Sequence, residues 1–343
     1  MRHAMRFVAG ALGGMAAARW LLPRESLRGA TALVTGGSRG LGLLLSRELA
    51  GRGVRLVLCG RDEEALGRAR GELERRGAEV LTVSCDISIA EDAERFVAAA
   101  VERFGVVDVV VNNASIIQVA PLESLSLDDF HQAMGANFWG SVHVTLAALP
   151  HLRRSRLKRI VNVTSIGAEI AVPHLLPYAC AKFAARGFSE GLAAELRNEG
   201  IRVTTVLPGL MRTGSFVNAL FKGRRSLEMQ WFALGSSLPL VSMDAARAAR
   251  RIVRACEGGE AFLVLGLPAK ALRIVHAVVP GLTTRVLAAV DRFLPAPGGA
   301  GPRDAAEPGR EHRTGAARSM ATALGDRAAR ENNELGGAQA EPA

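Results

Sequence analysis

The 343-residue chain is 49% hydrophobic and 22% charged, which is apolar enough to build a large core and excludes disorder along the whole length. Nearly all of the basic residues behind the net charge of +10 are arginines, and only 5% of the residues are aromatic, so the composition does not favour a nucleic-acid-binding protein. Four widely spaced cysteines with no histidines clustered beside them predict reduced thiols and no metal site.

Residues 1–29 are typical of a membrane-attachment segment. Arg2 and Arg6 precede an apolar stretch at 7–18, which is too short and interrupted for a standard membrane-spanning helix. A cleavable secretion signal has the same features, so both interpretations stay open at this point.

From residue 30 onward, short β-rich runs alternate with segments of helical length. This alternation predicts a parallel sheet with helices on both faces. We expect one doubly wound, Rossmann-type α/β domain over residues 30–266. Its seven predicted strands are 30–35, 54–59, 80–84, 106–112, 159–164, 201–207 and 261–265.

Residues 267–295 are predicted to form amphipathic helices, because their apolar residues recur at helical spacing. Two partners for the apolar face stay open. One is the protein's own core or a second subunit of a homo-oligomer; the other is a membrane surface, contacted peripherally with the help of Lys270, Arg273, Arg285 and Arg292. Residues 296–343 contain few apolar residues and predict a disordered tail.

The first predicted strand leads directly into a glycine-rich turn, Thr-Gly-Gly-Ser-Arg-Gly-Leu-Gly at 35–42, and then into a helix. Gly36, Gly40 and Gly42 let the backbone turn tightly and approach a pyrophosphate, toward which the N–H groups of the helix point. The position of the turn therefore predicts a dinucleotide site.

The end of the second predicted strand indicates which dinucleotide binds. A carboxylate at this point would hold the ribose 2′-hydroxyl of NAD(H), but Gly60 stands there and Arg61 follows it. Arg61 and Arg39 supply the positive charge that suits a 2′-phosphate. The sequence therefore predicts NADP(H), preferred over NAD(H).

Ser165 follows the fifth predicted strand, and Tyr178 and Lys182 lie beyond it at i and i+4, on one face of a predicted helix. An ammonium group near a phenol favours the phenolate and lowers its pKa from about 10. Tyr178, the only tyrosine of the chain, is therefore a candidate proton donor and acceptor.

Taken together, these motifs resemble the short-chain dehydrogenase/reductase family over about residues 28–266. The resemblance rests on their order: T-G-x-x-x-G-x-G at 35–42, N-N-A at 112–114, Asn137, Ser165, Y-x-x-x-K at 178–182 and P-G at 208–209. Two departures are Ser115, where the family commonly has a glycine, and Cys180, where serine is common. Neither removes a catalytic group.

The resemblance implies a role for each matching residue. Tyr178 would be the general acid and base, Ser165 would hold the substrate oxygen, Lys182 would bind the ribose and tune Tyr178, and Asn137 would orient a water in the proton relay. Asp86 would lie at the adenine and Thr213 at the nicotinamide carboxamide. The other implied cofactor contacts are Gly36, Ser38, Arg39, Gly40, Leu41, Gly42, Arg61, Ile87, Asn113, Ala114, Tyr178, Lys182, Pro208 and Gly209.

Such an enzyme interconverts a carbonyl and an alcohol by hydride transfer. The apolar segment at 216–238 favours a lipophilic small-molecule substrate. A 3-oxoacyl carrier-protein reductase, suggested by basic residues at 151–159, is one alternative, and a non-catalytic NADPH-binding sensor or scaffold is another. Because the cofactor is cytosolic, we expect a cytoplasmic protein with an uncleaved anchor, and attachment to the cytoplasmic face of the membrane stays open.

Overall fold

The computed structural model describes residues 24–299, 301–312 and 322–336. Most of the predicted anchor at 1–29 lies outside these residues. The part inside them packs on the domain, because Leu27 is buried and the backbone N–H of Glu25 donates to the carbonyl oxygen of Glu257 at 3.1 Å. The folded domain therefore begins a few residues before the predicted boundary.

The centre of the fold is a parallel sheet of seven strands. They are β1 (Thr31–Thr35), β2 (Arg55–Gly60), β3 (Val80–Ser84), β4 (Val109–Asn112), β5 (Arg159–Val163), β6 (Arg202–Pro208) and β7 (Phe262–Leu265). Their order across the sheet is β7-β6-β5-β4-β1-β2-β3. The predicted doubly wound, Rossmann-type α/β sheet is confirmed, and each strand lies within three residues of its predicted bounds.

Helices cover both faces of the sheet, because the strands are apolar on both sides and must be buried twice. The helices between residues 40 and 257 are α1 (Gly40–Ala50), α2 (Glu63–Arg75), α3 (Ala90–Phe104), α4 (Leu127–Met134), α5 (Gly140–Arg154), α6 (Leu176–Glu195), α7 (Arg225–Ser237) and α8 (Ala245–Glu257). The helices α1, α2 and α8 contribute to one buried cluster, whereas α3 and α5 contribute to the cluster on the opposite face.

The strand order reverses between β1 and β4, and this reversal positions the site. Connections from neighbouring strands leave in opposite directions there and open a crevice at the carboxyl ends of the strands. The loops that follow β1, β4, β5 and β6 all end at this crevice, and they carry the predicted motifs.

A smaller sheet and α7 form a cover over the crevice. The sheet pairs Gln118–Val119 with Leu220–Phe221, which in turn pairs with Glu307–Pro308. Phe216 and Phe221 are buried inside the cover together with Val119. Part of the apolar segment predicted to meet substrate is therefore the cover's own core.

Two further helices, α9 (Leu267–Val278) and α10 (Pro280–Asp291), occur where amphipathic helices are predicted. Each buries a single residue, Ala269 in α9 and Thr283 in α10. Their exposed apolar side chains include Leu267, Leu272, Ile274, Val275, Val278, Leu282, Val286 and Val290. Across the part of the chain that the structure describes, no helix has the length and apolarity needed to cross a bilayer.

The prediction of a disordered tail over 296–343 is wrong for the described parts of that segment. Helix α11 (Ala323–Glu331) packs on the domain and buries Ala328 and Ala329, and Leu335 is buried after it. Gly214, with φ +85°, makes this possible, since a side chain there would collide with the backbone of Ala329. Small residues in close contact hold the segment, so its low content of large apolar residues is misleading.

Candidate active site

The glycine-rich turn after β1 is closely packed against the loop after β4. Gly36 has φ +62°, and a Cβ there would lie 2.9 Å from the Cα of Ala114. A Cβ at Gly42 would overlap the carbonyl oxygen of Gly36. These glycines are required by the backbone itself, since no other residue fits either position.

The Asn-Asn-Ala motif holds the turn from the other side. Asn113 Nδ2 donates to the carbonyl oxygen of Thr35 at 3.0 Å, and the backbone N–H groups of Asn113 and Ala114 donate to Thr35 Oγ1 at 2.9 and 3.0 Å. The first and fourth strand ends are thereby fixed relative to each other, which keeps the shape of the turn independent of any ligand.

The two arginines predicted to meet a 2′-phosphate lie at the outer end of the crevice, each beside a carboxylate. Arg39 Nη2 is 2.8 Å from Asp62 Oδ2, and Arg61 Nη1 is 3.6 Å from Asp86 Oδ2. The Arg61 side chain is 69% exposed, so it is free to move to an anion. The pairing of Arg39 with Asp62 was not predicted from the sequence.

Ser165, Tyr178 and Lys182 meet at the inner end of the crevice. A Cβ built on Gly167 would lie 3.3 Å from both Ser165 Oγ and Tyr178 Cε1, so this glycine leaves room between the two side chains. Lys182 Nζ lies 5.7 Å from the centroid of the Tyr178 ring and donates to the carbonyl oxygen of Val163 at 3.2 Å.

The pKa values at this end depend mainly on burial. Burial lowers the pKa of Lys182 to about 8, because the charged amine loses its hydration. Burial raises the pKa of Tyr178, and a hydrogen bond with Ser165 opposes that rise. Burial therefore outweighs the expected lowering of the Tyr178 pKa by Lys182, and the net shift is upward.

Asn137 lies in a π-helical turn, Gly135–Trp139, between α4 and α5. Its Oδ1 accepts from Ser115 Oγ at 2.7 Å and from the backbone N–H of Ile116 at 2.9 Å, and its Nδ2 donates to the carbonyl oxygen of Ile116 at 3.1 Å. The side chain thus holds the loop after β4. Ser115, noted above as a departure from the family, takes part in this bonding.

Every residue predicted to contact the cofactor lines one crevice of about 1190 Å³, which also contains Ser165. Asp86 and Ile87 line it from the loop after β3, and Pro208, Gly209 and Thr213 line it from the end of β6 and the loop that follows. The inner end is apolar toward the cover. The residues there include Ile116, Ile117, Val172, Leu175, Leu210, Trp231, Phe232 and Val241.

Two groups of residues at the crevice were missed by the sequence analysis. His174, whose φ is +63°, contacts the fully buried Glu228 at 2.9 Å, and Trp231 Nε1 donates to the same carboxylate at 2.7 Å. The second group is the C-terminal run Asn332, Asn333 and Glu334, of which Glu334 lines the crevice. No motif or periodicity in the sequence marks either group.

Comparisons with known proteins agree with this geometry. Residues 30–221 match the family model for short chain dehydrogenase. SadH of Mycobacterium tuberculosis is 32% identical over 274 residues, 79% of this chain and 99% of that protein. An 11-beta-hydroxysteroid dehydrogenase A of Sesamum indicum is 35% identical over 246 residues, 70% of this chain and 69% of that one. Gluconate 5-dehydrogenase of Gluconobacter oxydans is 36% identical over 189 residues, 55% and 73% of the two chains.

A solved structure of a short-chain dehydrogenase from Streptomyces avermitilis is similar throughout, with a TM-score of 0.65 at 28% identity, covering 77% of this chain and 98% of that one. The family match extends over more than half of the chain, and the likeness to SadH covers nearly all of that relative. The chain belongs to the short-chain dehydrogenase/reductase family and is an oxidoreductase that acts on CH–OH and C=O groups with NAD(P)(H) as its cofactor.

Proposed function

We propose that the protein is an NADP(H)-dependent oxidoreductase that interconverts a carbonyl and an alcohol on a lipophilic substrate, with Tyr178 and Lys182 as its acid–base pair. One observation carries the proposal. Ser165, Tyr178 and Lys182 converge at the apolar inner end of a crevice whose outer end is a glycine-rich turn.

The residues of the crevice fit a nicotinamide dinucleotide. Gly40 carries no Cβ, so a diphosphate bound beside it would approach the backbone and the N-terminus of α1 closely. Arg61, Asp86, Thr213 and Lys182 all line the crevice. Arg61 and Asp86 would hold the adenine end of the dinucleotide, and Thr213 and Lys182 would hold its nicotinamide end. When bound, NADP(H) supplies or accepts the hydride.

The chain's own side chains handle the proton. In the direction of reduction, the Tyr178 hydroxyl donates its proton to the carbonyl oxygen, and the Ser165 hydroxyl donates a hydrogen bond to the same oxygen. Lys182, with a pKa of about 8, is mostly protonated at neutral pH. Its charge favours the phenolate that remains on Tyr178.

The preference for NADP(H) rests on the end of β2. Gly60 places no carboxylate where a ribose 2′-hydroxyl would be held, and Arg39 and Arg61 supply two guanidinium groups. Both arginines contact carboxylates, so a 2′-phosphate has to compete with Asp62 and Asp86. The preference is therefore expected to be moderate and not absolute.

The lipophilic substrate is supported by the apolar inner end of the crevice. Trp231 and Phe232 from α7 and Leu175 before α6 line the same crevice as Tyr178, and such a lining suits an apolar molecule with one carbonyl group. The gluconate dehydrogenase and the hydroxysteroid dehydrogenase are about equally identical to this chain. Their names therefore do not decide between a polar and an apolar substrate, and the argument rests on the residues that line the crevice.

A peripheral membrane contact belongs to the same proposal. Ile274, Val278, Leu282 and Val286 of α9 and α10 are each at least half exposed, and an apolar face of this extent normally has a partner. Lys270, Arg285 and Arg292 lie in the same region of the sequence and favour an anionic lipid surface over a neutral one.

The carrier-protein alternative loses part of its support. Arg153 is paired with Glu199 at 2.6 Å, and Arg159 is buried against Glu25 at 3.0 Å. These two arginines are therefore less available to an acidic carrier protein. The complete set of Ser165, Tyr178 and Lys182 argues against a sensor without turnover.

The test is oxidation of NADPH, followed by absorbance, with carbonyl compounds from short polar ketones to long-chain and polycyclic ones. The apolar members should turn over, and Tyr178→Phe should abolish turnover while NADPH binding stays nearly unchanged. Cys180→Ser, which alters an exposed residue on the same helix, is the control and should keep its activity. Full turnover by Tyr178→Phe would remove that residue from the mechanism.

A further inference from the structure

The C-terminal segment at 322–336 contacts the glycine-rich turn directly. The backbone N–H of Gly40 donates to the carbonyl oxygen of Asn332 at 2.9 Å. Asn333 Nδ2 donates to the carbonyl oxygens of Ser38 at 2.8 Å and Ala65 at 3.0 Å. The end of the chain is thus hydrogen-bonded to the wall of the crevice that is expected to hold the diphosphate.

The same segment also contacts the opposite wall of the crevice. Asn332 Nδ2 donates to the carbonyl oxygen of Thr213 at 3.3 Å, and Asn218 Nδ2 donates to Glu334 Oε2 at 2.6 Å. With Ala329 packed against Gly214, residues 322–336 bridge the two loops between which the cofactor is expected to lie. We call residues 322–336 the C-terminal strap.

The Glu334 carboxylate lies in the space that Gly40 leaves free. A Cβ on Gly40 would be 2.5 Å from Glu334 Oε1. The glycine at this position of the turn has no side chain so that the backbone can approach the pyrophosphate. Glu334 is only 5% exposed, and the position of its Oε1 beside Gly40 places the carboxyl group within this space.

We propose that the C-terminal strap is autoinhibitory: it holds Glu334 in the diphosphate subsite, and it must leave before the dinucleotide binds. The inference rests on the proposed function for the position of that subsite. A molecule whose strap is docked does not bind NADPH, so the apparent affinity is reduced by the fraction of molecules with an open strap.

The test measures NADPH binding by titration calorimetry with the full chain and with three variants. Removal of residues 322–343 and Glu334→Ala should each lower the apparent Kd for NADPH by about tenfold or more, because the competing group is gone. Glu331→Ala is the matched control, since this half-exposed glutamate of the same segment pairs with Arg327 instead, and its Kd should stay unchanged.

A second readout does not depend on affinity. NADPH added to the full chain should increase amide hydrogen exchange within 322–336 while it protects residues 36–42. Because truncation removes buried residues and can disturb the fold, the point variant Glu334→Ala tests the same idea with the full chain. A thermal unfolding curve of this variant shows whether it is still folded.

An unchanged or higher Kd for Glu334→Ala would overturn the proposal, because the strap would then be neutral or would help to hold the cofactor. Failure of the proposed function has a different signature, namely no NADPH binding even by the truncated chain, and that result would overturn both.

Discussion

Lys182 Nζ lies 5.7 Å from the centre of the Tyr178 ring and donates to the carbonyl oxygen of Val163 at the end of β5. The sheet itself therefore positions the ammonium group beside the phenol. Lys182 is 2% exposed, and burial lowers its pKa to about 8. The fold keeps a costly buried charge at this point, as expected for a group retained for function.

Replacing Lys182 with methionine should stabilise the protein while it removes activity. A folded-state pKa lowered from 10.5 to about 8 means that the charged amine opposes folding. This cost is fully present below pH 8, falls between pH 8 and 10.5, and vanishes above that range. We expect Lys182→Met to gain about 2 kcal/mol in the free energy of unfolding at pH 7, after lost packing is deducted, and less at pH 9.5. Urea denaturation at the two pH values measures it.

Lys222→Met is the control for that experiment. Lys222 is also buried, at 3% exposure, but it forms an ion pair with Asp129 at 2.8 Å. Its removal leaves a buried carboxylate unpaired and should destabilise the protein by about 3 kcal/mol. If Lys182→Met destabilised the protein to a similar extent, a lowered Lys182 pKa would be untenable.

The cofactor preference should depend on two guanidinium groups, that of Arg39 in the turn after β1 and that of Arg61 after β2. The double change Arg39→Ala with Arg61→Ala should reduce kcat/KM for NADPH by about tenfold or more and leave kcat/KM for NADH within about twofold, since each charged contact to a phosphate is worth about 1 to 2 kcal/mol. Arg70→Ala alters an exposed arginine paired with Glu74 on α2 and should change neither value. Equal losses with both cofactors would contradict the assignment of these residues to the 2′-phosphate.

Strap docking should weaken as the pH rises. Burial raises the pKa of Glu334 to about 7, while a hydrogen bond from Asn218 and the charge of Arg39 oppose the rise. Among the described residues, other charged groups that contact the strap or its partners include Arg47, Arg68 and Arg310. Because the folded-state pKa is raised, the contribution of Glu334 to docking is fully present below pH 4.5 and is lost as the pH rises through about 7.

The measurement is the ratio of the NADPH Kd of the full chain to that of Glu334→Gln, taken at pH 6 and pH 8. The ratio cancels titration of Lys182, which both proteins share. It should fall between the two pH values. A ratio that is constant or rises would show that the Glu334 carboxyl group does not titrate in the docked strap.

The seven strands and the crevice were predictable because each depends on local sequence. Continuous valine runs identify strands that are buried on both faces, and the turn at 35–42 is required by backbone sterics around Gly36 and Gly42. When successive parallel strands are connected by helices, the crossovers are right-handed, and few sheet topologies are possible. The predicted motifs at the ends of β1, β4, β5 and β6 were thereby brought to one edge of the sheet.

The strap was not predictable, because its contacts involve groups that composition does not register. Asn332 and Asn333 bind backbone carbonyl oxygens and N–H groups more than 250 residues away in sequence or on the loop at 213–218. The predicted direction of the Tyr178 pKa shift was wrong for a related reason. The spacing of Tyr178 and Lys182 gives their shared helix face but not the depth at which that face is buried.

The exposed face of α9 and α10 should bind anionic membranes. Val278 and Val286 are 74% and 53% exposed, and neither has a packing role that a charged residue would break. Changing both to glutamate should reduce binding of the full chain to phosphatidylserine vesicles by about tenfold or more, because two apolar contacts are lost and two repulsive charges are gained. Sedimentation with vesicles measures the bound fraction.

Leu127→Glu, at a residue that is 77% exposed on α4, is the control and should bind like the unchanged protein. Undiminished binding by the double variant would refute the membrane role of this face, and equal binding to neutral vesicles would refute the role of its basic residues, because their attraction requires anionic lipid.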